Sequence, residues 1–301
     1  MRFATLEKYL KNLSHQTEAR TRIWLDPDGH ALGSYFKSTM TSVFQPIRAL
    51  ALDPGSGALT AASIGVEAFV RSFSRSDPGL SLWKLLDHAA SDDESVELDR
   101  LCRMLHAINF FRQPEAQQTE STDPAAQSAL FLSVHARLLA AVGGNHGYAF
   151  RRILDALELP HQRIVLQLPT VTATQRWVLD AVAENYRRNG FRLAINVINA
   201  GQALLLLEQV RPDVVKIDGR EITDLVVLQR LLAQCARLGI RLVMKRVESP
   251  KVVDLLQSLV AQSGHTIHVQ GFHWDMPNAS LDLAAPGIVL PTLAAQARQA
   301  A

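Results

Sequence analysis

From about residue 42 the chain alternates short apolar runs with longer segments of helical periodicity, and it keeps this rhythm to about residue 270. The apolar runs cover 43–49, 63–71, 129–134, 163–168, 192–197, 214–217, 241–244 and 266–270. Between them, 82–90, 97–111, 174–189, 201–209, 222–238 and 251–263 place apolar residues at helical spacing. Strands that alternate with helices of about 10–15 residues make βαβ units, whose strands lie parallel in one sheet. Eight of them fit a closed (β/α)₈ barrel of about 250 residues, which a chain this long can hold as one domain.

Residues 42–283 are therefore assigned to the barrel, 1–41 to an N-terminal α/β extension and 284–301 to a tail with a Pro286-Gly287 break. In the extension, Phe3, Leu6, Tyr9, Leu10 and Leu13 recur as on an amphipathic helix. A short strand, 22–25, runs into the turn-forming Asp26-Pro27-Asp28-Gly29, and the segment reads as a cap on the main domain. One connection, 113–127, is polar and aperiodic, and is expected to be a disordered surface insertion.

Composition narrows the function classes. A net charge of +2, from 31 basic against 29 acidic residues, lacks the basic footprint of a nucleic-acid binder. No polybasic run suits an anionic membrane surface, and no apolar stretch approaches a membrane span. Glu7, Lys8 and Lys11 fall where a signal peptide needs its apolar core. The two cysteines, Cys102 and Cys235, fit a reducing compartment and are read as small buried hydrophobes. The expected location is the cytoplasm.

Five motifs then fall in order along the chain. Phe44-Gln45-Pro46-Ile47 opens the first barrel strand, and Gly65-Val66-Glu67-Ala68-Phe69-Val70-Arg71 forms the second. Leu98-Asp99-Arg100, Lys216-Ile217-Asp218 and Val269-Gln270-Gly271-Phe272 follow. Together they resemble the EAL family, with Phe69 replacing a leucine of G-x-E-A-L-L-R. The resemblance implies a modified (β/α)₈ barrel whose first strand runs antiparallel to the rest. It also implies a site at the barrel mouth where active members hydrolyse cyclic di-GMP with two divalent cations.

Such hydrolysis needs several carboxylates or amides to hold Mg²⁺ or Mn²⁺. Glu67 matches the family's first ligand. The asparagine of N-x-S falls on His135, with Arg137 two positions on, and an imidazole suits Mg²⁺ poorly. The leading acid of E-x-T-E falls on Gln167, the paired acids of D-D-F-G-T-G on Asn196 and Val197, and the acid of A-E-G-V-E on Lys245. One acid of five survives and one position has changed sign. Each charge beside another in a partly buried site is worth several kcal/mol at an effective dielectric of about 20. The expectation is a chain with no catalytic residues that needs no Mg²⁺ or Mn²⁺.

Ligand binding is a separate matter. In nucleotide-binding members the matching glutamine and arginine contact the ligand, which here are Gln45 and Arg71, with Asp99 and Phe69 as further candidates. Lys216, Asp218 and Gln270 complete the set. Lys245, alone or with Lys216, either supplies the positive charge that metals supply elsewhere, or pairs with Glu67 or Asp218 and plugs the pocket. The implied function is a catalytically inactive regulator that binds cyclic di-GMP and signals through a protein partner. The alternative is a nucleotide-independent interaction module, such as an antagonist or adaptor of a transcription or motility factor. In the family the loop at 196–201 links the site to a dimer surface, so its altered sequence leaves homodimer formation open.

Other chemistries find less support. His265, His268 and His273 lack a recognised metal spacing and read as surface or loop residues. Ser133 and His135 share one strand with no orienting acid. Val142-Gly143-Gly144-Asn145 lacks the lysine and glycine spacing of a phosphate loop.

Overall fold

A computed structural model describes residues 21–35, 38–73, 91–117, 127–136, 145–170 and 176–281. The helices expected at 3–13 and 82–90, residues 142–144 and the tail from 284 lie outside these. The barrel forms because its strands are apolar on both faces. β6 (Ile164–Leu168) and β8 (Val214–Asp218) are buried at every position, as strands covered by helices must be.

Eight strands close the barrel: β3 (Ser38–Leu52), β4 (Leu59–Phe73), β5 (Ala129–Ser133), β6, β7 (Arg192–Val197), β8, β9 (Arg241–Lys245) and β10 (Ile267–Val269). Neighbours from β4 round to β10 pair parallel. β3 closes the ring antiparallel to both β4 and β10, as the resemblance implies. β3 and β4 are 15 residues long and pair from Leu52↔Leu59 to Thr39↔Phe73, with a register shift between Ile47 and Arg48. Beside that shift, a Cβ on Gly65 would lie 2.3 Å from the Ala129 carbonyl oxygen, so only glycine lets β4 meet β5 there.

The helices are α1 (Asp92–Phe111), α2 (Pro114–Gln117), α3 (His146–Ala156), α4 (Arg176–Arg188), α5 (Ala200–Val210), α6 (Leu225–Leu238) and α7 (Pro250–Ser263). Their starts follow local chemistry. Ser91, Asn145, Asn199, Asp224 and Ser249 each accept a backbone N–H of the first turn, while Gly239 and Gly264 end α6 and α7 in the left-handed conformation. Among the described residues, no helix is long and apolar enough to cross a membrane.

The expected strand at 22–25 is β1 (Thr21–Leu25), and it pairs with a second strand, β2 (Ala31–Tyr35). This hairpin adds to the outer end of β3 through Gly33↔Met40 and Tyr35↔Ser38. Ile23, Ala31, Tyr35 and Met40 pack with Leu98, Leu101, Leu105 and Ile108 of α1. Asn109 fastens the joint: its Oδ1 accepts the Ala31 amide at 2.7 Å and its Nδ2 donates to the Ala31 carbonyl at 2.8 Å.

Two expectations need correction. The stretch at 113–127 is not wholly disordered. Pro114–Gln117 forms α2, buries Ala116, and presents the Ala116 carbonyl to Arg163 Nη1 at 2.6 Å, while 118–126 lie outside the described residues. His268 is not a surface residue. It sits in the middle of β10, its Nδ1 3.2 Å from the Leu242 carbonyl oxygen, and burial pulls its pKa down to about 4. His265 is half-buried and His273 exposed. Both cysteines are buried free thiols, and burial pushes the Cys235 thiol up to about 12.

Candidate functional site

The strands' C-terminal ends open on a cavity of about 660 Å³, within the ordinary range for small-molecule sites. Its floor is a closed network. Lys216 on β8, only 1% exposed, donates to Glu67 Oε2 at 2.6 Å, to Gln167 Oε1 at 2.6 Å and to Gln270 Oε1 at 3.0 Å. An ammonium carries three N–H donors, so all of them are spent. Gln167 returns a bond to Glu67 Oε1 at 2.9 Å, and Gln270 one to Glu67 Oε2 at 2.9 Å. Burial works against the Glu67 anion, but the adjoining ammonium and the two amides outweigh it and hold its pKa below the usual range.

Gln45 extends the network. It accepts from Gln270 at 3.2 Å and donates to the Asp275 carbonyl at 2.8 Å. Arg48 grips the Asp275 carboxylate with two bonds of 2.6 Å, so the segment after β10 is tied to β3. That tie fixes Phe272, which lines the cavity with its side chain 55% exposed. Phe69, which also lines the cavity, is 37% exposed rather than a core side chain.

A second arrangement occupies the rim. Lys245, at the end of β9, donates to Asn196 Oδ1 at 2.9 Å, and Asn196 Nδ2 donates to the Leu168 carbonyl at 2.9 Å. Lys245 pairs with neither Glu67 nor Asp218. Burial first, and the Lys216 charge second, pull its pKa down. Arg246 follows it at φ 56, an uncommon backbone for an arginine, and bonds Asp218 Oδ2 at 2.9 Å. Arg220 also bonds Asp218, and chiefly for that reason the Asp218 pKa falls to about 2.

The candidates divide accordingly. Gln45, Glu67, Phe69, Asp99, His135, Gln167, Asn196, Lys245 and Gln270 line the cavity. Asp99 is already engaged: it forms an ion pair with Arg103 and accepts the His135 amide at 3.3 Å. Lys216 belongs to the floor network without reaching the cavity lining, and its charge is spent on Glu67. Asp218 faces its two arginines, Val197 is buried in the core, and Arg71 is exposed outside the cavity lining. Arg71 lies near the outer end of β4, opposite Thr41 of β3. Phe272 and Arg246 were not singled out from sequence, although Phe272 ends the fifth motif.

The donors do not match a cage for two hard cations. Glu67 is neutralised, Gln167 turns an N–H toward it, and Lys245 brings a positive charge. Among the described residues one group of three or more metal-binding side chains lies close enough to share an ion. It is Asp26, Asp28 and His30, on the β1–β2 turn and not on the cavity.

The EAL domain model matches residues 37–277, most of the chain. The chain belongs to the EAL family. No curated protein matches it. Among solved structures, the FimX EAL domain from Pseudomonas aeruginosa bound to c-di-GMP superposes with a TM-score of 0.60 at 18% identity, covering 93% of this chain and 97% of that one. The Bacillus subtilis YkuI protein, in complex with c-di-GMP and calcium, gives 0.59 at 18% identity over 81% of this chain. The EAL chain spans only 56% of YkuI. A standalone EAL protein from Vibrio cholerae, also c-di-GMP-bound, gives 0.56 at 19% identity over 81% and 94%. At these identities the superpositions speak for the fold.

Proposed function

We propose that this EAL domain is a cytoplasmic receptor for cyclic di-GMP that holds its ligand without metal ions, does not hydrolyse it, and signals through contacts with a protein partner. The observation that carries the reading is what stands at the replaced acid positions: Gln167 gives an N–H to Glu67, Asn196 gives one to the Leu168 carbonyl, and Lys245 brings an ammonium. Glu67 is left as a single carboxylate beside a cation, too little to hold two dications. Ligand binding is supported from the opposite side of the cavity. Phe69 and Phe272 present exposed rings beside a polar floor, an arrangement suited to stacking on purine bases. The c-di-GMP-bound EAL structures that share the fold favour that ligand.

A second reading, a nucleotide-independent interaction module, draws on apolar side chains away from the floor. Ile198, Leu205 and Val226 are 55%, 72% and 74% exposed, on or beside α5 and at the start of α6. Calorimetric titration of the whole protein with cyclic di-GMP in EDTA separates the two. The receptor reading expects binding that Phe69→Ala and Phe272→Ala weaken, and no turnover in Mn²⁺. Absence of heat change and thermal shift supports the interaction module, and turnover by the purified protein removes the claim of inactivity.

A further inference from the structure

We infer that Lys245 is the cavity's anion anchor: its ammonium, aimed by Asn196, takes one singly charged phosphodiester oxygen directly. The identity of the nucleotide rests on the receptor reading above, but the anchor itself rests on the pairing of charges around the cavity. Among the described residues, three lysines and arginines line it: Arg103, Lys245 and Arg246. Arg103 is paired with Asp99, and Arg246 shares Asp218 with Arg220, while Glu248 also lines the cavity. Lys245 has no carboxylate partner. One of its three donors goes to Asn196 Oδ1, and no other acceptor among the described residues takes the remaining two.

Asn196 has a defined part in this. Its amide nitrogen is committed to the Leu168 carbonyl, so the amide cannot flip without losing that bond, and its oxygen stays turned to Lys245. The amide therefore orients the ammonium without neutralising it. Lys216 repels the same ammonium from below, and burial removes part of its water. Both penalties fall when an anion arrives. An ammonium bonded only to a neutral amide matches the single negative charge of one phosphodiester. Cyclic di-GMP carries two, so the anchor holds the molecule asymmetrically, one phosphate at Lys245 and the other outside its reach.

The test pairs two measurements. Calorimetry with cyclic di-GMP in EDTA compares the wild-type protein with K245R and K245Q. K245Q keeps a donor for Asn196 but loses the charge, and is expected to bind at least about tenfold more weakly, a factor worth about 1.4 kcal/mol. K245R keeps the charge and is expected to stay within about threefold. Separately, the seven lysines are labelled with ¹³C at Cε, and Lys245 is assigned by its absence from the K245R spectrum. Dimethyl phosphate, a phosphodiester without bases, is expected to shift the Lys245 resonance and to leave Lys216 in place. Equal binding by K245Q and wild type, or a Lys245 signal unmoved by dimethyl phosphate, overturns the anchor. No nucleotide binding by the wild type, with a Lys245 signal that still responds, removes the receptor reading and leaves the anchor standing.

Discussion

The floor and the rim of the cavity answer the same electrostatic problem in opposite ways. On the floor, Lys216 and Glu67 are brought together from β8 and β4, and two glutamines satisfy what each leaves over. At the rim, Lys245 meets a neutral asparagine and keeps its charge. Lys245 stands where the family has an acid, whereas Lys216 and Glu67 both match the family's own motifs. A buried charge that is internally compensated becomes part of the architecture, and removing one partner strands the other. A charge left uncompensated at an opening is costly by itself and recovers that cost from a ligand. The floor holds the barrel together, and the rim is where recognition is to be sought.

Substitution on the floor breaks the comparison most strongly. Lys216→Met leaves Glu67 buried without its cation and is expected to cost about 3–5 kcal/mol of stability, read as a drop in urea midpoint. A Glu67→Leu, Lys216→Met double variant is expected to recover much of that loss. If the single variant is as stable as wild type, the floor is not structural. At the cavity wall, Phe272→Ala is expected to leave stability unchanged and to weaken nucleotide binding by about 1–3 kcal/mol in calorimetry.

Acid provides a third, smaller test. Burial lowers the pKa of His106, beside the cavity on α1, to about 3, and its Nδ1 lies 2.8 Å from Ser42 Oγ. Its folded-state pKa is depressed, so its contribution is complete above its unfolded value near 6.5 and is lost as pH falls toward 3. At pH 5.5 the cost is about 1.4 kcal/mol, and His106→Gln is expected to flatten that part of the stability–pH curve. The smallest effect belongs to Gln167→Glu. Restoring this acid beside Glu67 is expected to yield no turnover of cyclic di-GMP in Mn²⁺, because Lys216 and Lys245 remain. Measurable product would remove the argument that Lys245, Asn196 and Val197 leave too few acids for the metals.

The barrel was legible because its strands are apolar on both faces, a pattern that survives any change in loops. β2 was not, because Ala-Leu-Gly-Ser-Tyr reads as neither strand nor helix by itself. It holds its place through Gly33, where a Cβ would come within 2.8 Å of a Leu105 methyl. α3 was hidden in the same way, with Gly147 in its first turn and Asn145 as its cap. Glu67 and the glutamine that replaces an acid were legible through the motifs. Their ion-pair network was not, since Lys216 lies 149 residues from Glu67 and nothing local couples them. The place of Arg71 near the outer end of β4 was not legible, because a motif shows the order of residues along a strand but not how long the strand is. His268 was misread because histidine is polar by composition, whereas β10 is buried throughout.

β3 belongs to two assemblies at once, since β4 pairs it from Thr39 to Leu52 while β10 holds Arg48–Leu50 and the β1–β2 hairpin Ser38–Met40. Side chains alternate along a strand, so a slip of one residue would turn Gln45 out of the mouth and pull Phe44 and Met40 out of the layers they pack in. The hairpin thus acts as a phase lock. Its hold on Ser38–Met40, far along the chain from any ligand contact, keeps Gln45 facing inward.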